Sequence, residues 1–415
     1  MAGIHRERPG ADAITACTGD PAVDLGAGIF VSPGLSNSYL ITTDDGRVIL
    51  NTGMGFEGPL HQRAYAGVGT GALRAIVLTQ GHYDHVGGVD VLREPGTDVI
   101  MQANFATWRA DNERLEAFRA RNAAFAWIDA IVAAMQYADT LGVGQVAQAR
   151  PEPTVIVDDH LELTVGGRRL ELISVPGGET TDSLAVWLPE DRVVCTGNLL
   201  GALFGHVPNL VTMRGDRYRD PLQYVASVER VLALAPDRLL SGHFGPIEGA
   251  ARVADELTTA RDAMVWVHDR VVDGMEAGTD VVTLMRDIVL PDRFDLGEGY
   301  GKTSWNVRAI WEQYAGWFHH RSTTELYPVP AASVAPDIVA AAGAGALLDA
   351  ARAHLAAGRP VEALHLTDLV LAAEPSAAEG RAVAADANRA LLDASDNFWE
   401  SAWLRRAVDR LERTP

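Results

Sequence analysis

Cysteine is scarce in this chain, with two residues, Cys17 and Cys195, among 415. Two thiols cannot build a disulfide framework. Cys195 stands in the apolar run Arg192-Val193-Val194-Cys195-Thr196 and reads as a buried structural thiol rather than a metal ligand. The segment from Met1 to Ala16 is polar and lacks the apolar core of a signal peptide. No stretch approaches the length of a membrane span. These absences predict a cytoplasmic protein. Positive charge is also short: the formal net charge is −20. That argues against nucleic-acid phosphates as a partner, because binding them needs a basic face. An anionic small substrate stays open, since a metal ion and one arginine reverse the sign locally.

Apolar residues make up 47% and charged residues 22%, the balance of a water-soluble globular chain. The length suffices for two or three domains and a large core. Residues 36–41 and 47–50 alternate as antiparallel strands joined by Thr42-Thr43-Asp44-Asp45-Gly46. A helix is expected near 58–66. Residues from about 104 to 141 carry alanine, arginine and aromatics at helical spacing, a long insertion able to roof a site. Strand signals return at 154–157, 161–165, 170–175, 183–187, 193–195 and 238–241. Two batches of strands with helices between and after them predict an α/β fold, two sheets sandwiched between helical layers. After about 252 the chain reads as helical. One amphipathic stretch spans 256–275, and an aromatic-rich one spans 302–318. Residues 340–412 are alanine-rich with apolar positions three to four apart, broken by turns at Gly358-Arg359-Pro360 and Glu374-Pro375-Ser376. They resemble tetratricopeptide-type units, with a plain helical bundle as the alternative.

The densest chemistry sits in Thr79-Gln80-Gly81-His82-Tyr83-Asp84-His85-Val86-Gly87-Gly88, directly after the apolar run Ala75-Ile76-Val77-Leu78. A turn at a strand end can aim several side chains at one point. Imidazole nitrogens and a carboxylate oxygen are what a zinc-class ion accepts. The glycine pair is expected to let the backbone pass close beneath the ion.

This segment resembles the metal-binding signature of the metallo-β-lactamase fold, His-x-His-x-Asp-His followed by Gly-Gly, with Gln80 in place of the first histidine. Seven further segments extend the likeness. Pro176-Gly177-Gly178-Glu179 places a glutamate where most members have histidine. Thr196-Gly197-Asn198 places an amide where the family usually has a bridging carboxylate. Ser241-Gly242-His243 supplies the usual last histidine. Met213-Arg214-Gly215-Asp216-Arg217-Tyr218-Arg219-Asp220 is similar to the Leu-Arg-Gly-x-x-Val-Arg-Asp segment of the alkylsulfatase branch, which also carries the glutamate. Gly299-Tyr300-Gly301, Trp305-Asn306-Val307-Arg308-Ala309 and Gly316-Trp317-Phe318 are similar to that branch's middle helical region. The branch's C-terminal sterol-carrier-like domain is not matched.

The resemblance implies an αββα catalytic domain over 1–252, with a helical insertion at about 104–150. It implies an alkylsulfatase-like helical region at 253–330 and a TPR-like, all-α dimerisation region at 331–415, hence a homodimer. It implies two zinc positions, one with Gln80, His82 and Glu179, the other with Asp84, His85 and His243, and Asn198 between them. Glutamine and asparagine are neutral and poor zinc ligands. Two dications side by side need negative charge between them, and Asn198 has none. One zinc per chain is therefore expected, at Asp84, His85 and His243, with the other position weak or empty. A lactamase subclass with asparagine at the first ligand position is similar and works with one zinc.

The implied function is hydrolysis of a sulfate or related anionic ester by a metal-activated water. His82 and Glu179 would manage the proton. Arg214 would hold the anion, since guanidinium offers sulfate two parallel donors. Asn209 and Tyr137 are the further substrate-binding candidates. The family's histidine close before Arg214 is not matched: Pro208 stands roughly there, and His206 lies two residues earlier. Two other readings use the same residues. One is a mononuclear-zinc lyase or rearrangement enzyme of a biosynthetic pathway, and the other a non-catalytic dimeric scaffold.

Overall fold

The computed structural model describes residues 3–413 apart from 9, 212 and 214. Arg214, the expected anion-binding residue, lies outside them. The chain forms two compact units, Met1–Tyr314 and Ala315–Pro415.

The first unit is the expected sandwich of two sheets. One sheet runs in the order β1 (Val23–Asp24), β2 (Ile29–Ser32), β3 (Ser38–Thr43), β4 (Gly46–Leu50), β5 (Leu73–Val77), β6 (Asp98–Gln102) and β7 (Val155–Val157). Its first four strands pair antiparallel and its last four parallel. The other sheet holds β8 (His160–Val165), β9 (Arg168–Ser174), β10 (Leu184–Leu188), β11 (Val193–Gly197), β12 (Arg238–Ser241) and β13 (Ile247–Glu248) in sequence order. Only β11 and β12 are parallel neighbours there.

Side-chain parity explains why several of these strands read as unbroken apolar runs. Tyr39, Ile41, Val48, Leu50, Ala75 and Val77 face the second sheet, meeting Leu170, Leu172, Leu184, Val186 and Cys195. The residues between them, Leu40, Ile49 and Ile76, pack outward against Val86, Val89, Leu92 and Phe105 of covering helices. Cys195 is fully buried, and burial pushes its thiol up to about 12. Truncating a core leucine such as Leu172 to alanine would cost about 2–5 kcal/mol.

The insertion between β6 and β7 is helical, as expected, at Phe105–Arg114, Glu116–Asn122 and Ala124–Thr140. Ala134 and Ala138 of its last helix pack on Leu35, Phe56 and Leu60. A later helix, Pro221–Ala233, is capped by Asp220 and packs beside the helix Ala250–Glu276.

The aromatic helix expected over 302–318 is shorter, Thr303–Ala315. Gly316, with φ +74°, follows the helix, a left-handed conformation suited to glycine. Trp317 and Phe318 therefore fall outside the helix.

In the second unit, Ala335–Ala342, Ala344–Ala356, Pro360–Ala373, Ala378–Asp393 and Phe398–Glu412 each pack on their neighbours in sequence. Ala351, Ala363 and Ala387 keep the helices close, with Val383 beside them. Trp317, Tyr327 and Val329 stay exposed at 68%, 66% and 62%. Among the described residues no single helix is long and apolar enough to cross a membrane.

Candidate metal centre

The ligand candidates sit just past strand ends. At the end of β5, Asn51 Oδ1 accepts from the Thr79 amide at 2.9 Å and from its hydroxyl at 3.0 Å, fixing where the chain turns. His82 then opens a single helical turn, Tyr83–Val86, that carries Asp84 and His85. The turn is pinned by its carbonyls: Ser36 Oγ donates to Asp84 O, and the Thr52 amide and hydroxyl donate to His85 O at 2.8 and 3.0 Å.

The glycine pair after it is tightly packed. A Cβ on Gly88 would overlap Thr52 O, and one on Gly87 would overlap the Gln148 amide and press on Gly55 N. The bare backbone makes room for neighbouring backbone and Gln148, and it is this packing that requires glycine.

Glu179 follows β9, Asn198 follows β11 and His243 follows β12. The last turn is held from the first sheet. Asn37 N donates to Gly242 O at 2.7 Å, Asn37 Nδ2 donates to Phe244 O at 2.6 Å, and the Tyr39 hydroxyl donates to Ser241 O at 2.7 Å.

Asp84, His85 and His243 each offer one ligand atom, and these atoms lie within 4.8 Å of one another. Asp84 Oδ2 is 3.5 Å from His85 Nε2 and 3.9 Å from His243 Nε2. Both histidines are buried. Burial lowers His85 to about 3 and His243 to about 4, with Asp84 opposing the second shift. Both rings are thus neutral near neutral pH, the form that binds a metal. Asn198 Nδ2 lies 3.2 Å from both Nε2 atoms. A half-turn of this amide would put Oδ1, an acceptor, at the same point. An acid, two neutral imidazoles and a converging amide fit one divalent ion.

A second cluster adjoins the first. Gln80 Nε2 is 2.8 Å from His82 Nδ1, and His82 Nδ1 is 3.7 Å from Glu179 Oε2. The other oxygen, Glu179 Oε1, accepts from Arg219 at 3.3 Å. Arg219 also donates to Asn209 O and lies 4.0 Å from Asp216. Sequence reasoning missed Arg219 here. This grouping brings one imidazole, one carboxylate, one amide and a guanidinium together, a poor fit for a second dication.

Asp182 was also missed. It is buried, neither of its oxygens makes a well-formed hydrogen bond among the described residues, and burial raises it to about 6. A Cβ on Gly81 would come within 2.9 Å of it.

The insertion reaches this cluster. The Trp108 ring lies edge-on to His82 at 5.5 Å between centroids. Arg119 pairs with Asp216 at 2.7 Å, and Arg217 with Asp111 at 2.9 Å. Asn209 is buried, and its Oδ1 has no hydrogen bond among the described residues. Tyr137 is exposed, and no hydrogen bond joins its hydroxyl to the cluster among the described residues. His206 is occupied elsewhere: Nδ1 accepts from the Gly299 amide at 2.9 Å, and Nε2 donates to Arg8 O at 2.8 Å.

Two family models match the chain: metallo-beta-lactamase superfamily over residues 31–243 and alkyl sulfatase dimerisation over 287–413. A linear primary-alkylsulfatase of Pseudomonas sp. (strain ATCC 19151) is 31% identical over 196 residues, covering 46% of this chain and 36% of the relative. The alkyl/aryl-sulfatase BDS1 of Saccharomyces cerevisiae is 24% identical over 364 residues, covering 83% and 56%. An (R)-specific secondary-alkylsulfatase of Pseudomonas sp. is 28% identical over 275 residues, covering 63% and 41%. The chain thus spans well under two thirds of each of these relatives. Among solved structures, the stereoselective inverting sec-alkylsulfatase Pisa1 from Pseudomonas sp. shares the fold, with a TM-score of 0.81 at 22% identity over 95% of this chain and 66% of that one. The first family match takes in just over half of the 415 residues, from β2 to the turn that carries His243, and the chain belongs to the metallo-beta-lactamase superfamily.

Proposed function

We propose that this protein is a metal-dependent hydrolase of an anionic ester, with an alkyl sulfate or a close analogue as substrate. The observation that carries the reading is the convergence of Asp84, His85 and His243 ligand atoms within 4.8 Å. A divalent ion held there, zinc by preference and one per chain, would supply Lewis acidity toward water or an ester oxygen. The chain's own residues supply the rest. His82 and Glu179, 3.7 Å apart, stand beside the ion position as the groups that hold or move a proton. Arg219 engages one Glu179 oxygen and leaves the other toward His82. Arg214 is assigned to the anion, with Asn209 as its companion. Exposed Phe118, Ile128 and Met135 on the insertion suit a substrate with an apolar tail. The relatives named as alkylsulfatases support the substrate class. The dimerisation match over 287–413 supports a homodimer.

The test is turnover of a panel of alkyl sulfates by purified protein, stripped of metal and then reloaded, in water enriched in heavy oxygen. Turnover that needs metal and is lost in Asp84→Asn is expected, with solvent oxygen in the sulfate or the alcohol. Turnover without solvent oxygen in either product would point to a lyase instead. Absence of metal-dependent turnover on sulfates and other esters rejects the proposal.

A further inference from the structure

The polar segment ahead of Cys17 carried no role in the sequence reading, yet one of its residues is built into the back of the ion position. Arg8 is 4% exposed. Its guanidinium donates to Gly245 O, reaches Ser241 Oγ at 3.4 Å, and lies 5.6 Å from the Phe244 ring centroid and 5.9 Å from that of Phe204. Ser241 Oγ in turn donates to His243 O at 2.6 Å. Every residue of the Ser241–Gly245 turn except Gly242 is therefore touched by Arg8 directly or through one hydroxyl.

The turn needs such support. Phe244 is held at φ +63°, a left-handed conformation that costs a non-glycine residue energy and persists only where its surroundings enforce it. Asn37 and Tyr39 grip the turn from the first sheet. Arg8 grips it from the segment ahead of Cys17. Arg8 is itself anchored, because its carbonyl accepts from His206 Nε2 at 2.8 Å and Ile4 is buried beside Gly205.

We infer that Arg8 is a positioning residue for His243, acting through the Ser241 hydroxyl and the Phe244–Gly245 backbone. A planar, five-donor guanidinium suits this task, since it stacks on rings while donating in its own plane. Groups that orient a metal ligand commonly change metal affinity by about 10–100-fold when removed. The inference rests on the proposal that His243 is a ligand.

The test compares wild type, Arg8→Met, Arg8→Lys and Ser241→Ala, with exposed Arg6→Ala as control. Zinc affinity is read by chelator competition, the ligand field from the absorption spectrum of the cobalt(II)-loaded protein, and turn mobility by amide hydrogen exchange over 241–245 in metal-free protein. Arg8→Met should weaken zinc by about 10–100-fold, alter the cobalt spectrum and speed exchange at 241–245. Arg8→Lys should fall between, and Arg6→Ala should match wild type. If Arg8→Met does not fold, Ser241→Ala cuts the relay alone and should shift the same three readouts. Folded variants with wild-type zinc affinity, spectrum and exchange would overturn the inference. A wild type that takes up no metal sinks the ligand proposal, whereas the exchange comparison in metal-free protein still decides whether Arg8 holds the turn.

Discussion

The Arg219 guanidinium lies 3.3 Å from Glu179 Oε1, with side chains only 4% and 2% exposed. Two charges withdrawn from water this far depend on each other. Removing one partner takes a close countercharge from the other in a site shut off from water, a loss of about 3–5 kcal/mol. Arg219→Met should therefore lower unfolding stability by that order in a urea titration. Arg219→Met combined with Glu179→Gln should recover a large part of it. Additive losses in this double-mutant cycle would show that the two residues are not coupled.

Metal content should be about one divalent ion per chain by elemental analysis, and close to none in His243→Ala. Gln80→His combined with Asn198→Asp restores an imidazole and a charge and should raise the count. Two tightly held ions in the wild type would end the one-ion reading.

Acid should destabilise the fold through buried histidines. His61 is fully buried, and burial lowers it from 6.5 to about 3. A lowered folded-state value means that the unfolded chain takes up the proton first. Stability is therefore lost as the pH falls from about 6.5 toward 3. The full effect of this one ring is on the order of 5 kcal/mol. His61→Gln should flatten the stability-versus-pH curve in that window, and an unchanged slope would exclude His61 as its source.

Self-association should depend on the exposed apolar stretch of the second unit. Trp317→Glu with Tyr327→Arg should weaken the dimer by roughly a hundredfold, about 3 kcal/mol. Sedimentation across a concentration series reads this, and an unmoved dissociation constant would assign the interface elsewhere.

Much of the site could be read from the sequence because its chemistry is local. His82, Asp84 and His85 share one turn after one strand, so residue type and spacing suffice to suspect an ion. The sandwich was legible for a similar reason, since strand runs and turns repeat at short range. Partners brought together by the fold were not. Arg219 meets Glu179 across forty positions; it falls on the second arginine of the matched Leu-Arg-Gly-x-x-Val-Arg-Asp segment, yet nothing local names the carboxylate it meets. Arg8 reaches Ser241 across 233 positions from a segment that looked like a polar tail. Gly87 and Gly88 follow the ligand candidates directly, whereas the neighbours that leave them no room for a side chain, Thr52, Gly55 and Gln148, are distant in sequence. The aromatic spacing around 317 suggested a longer helix, and Gly316 overruled it.

Position 242 has room for hydrogen alone. A single methyl group on Gly242 would overlap Asn198 Oδ1 and come within 3.0 Å of His85 Cε1, pointing into the space the ligands share. Gly242→Ala ought to keep the fold while pushing Asn198 and the His85 ring away from the point where the ion is proposed to sit. The same change therefore offers experimenters a matched partner of the wild type that differs by one methyl group at the proposed ion position.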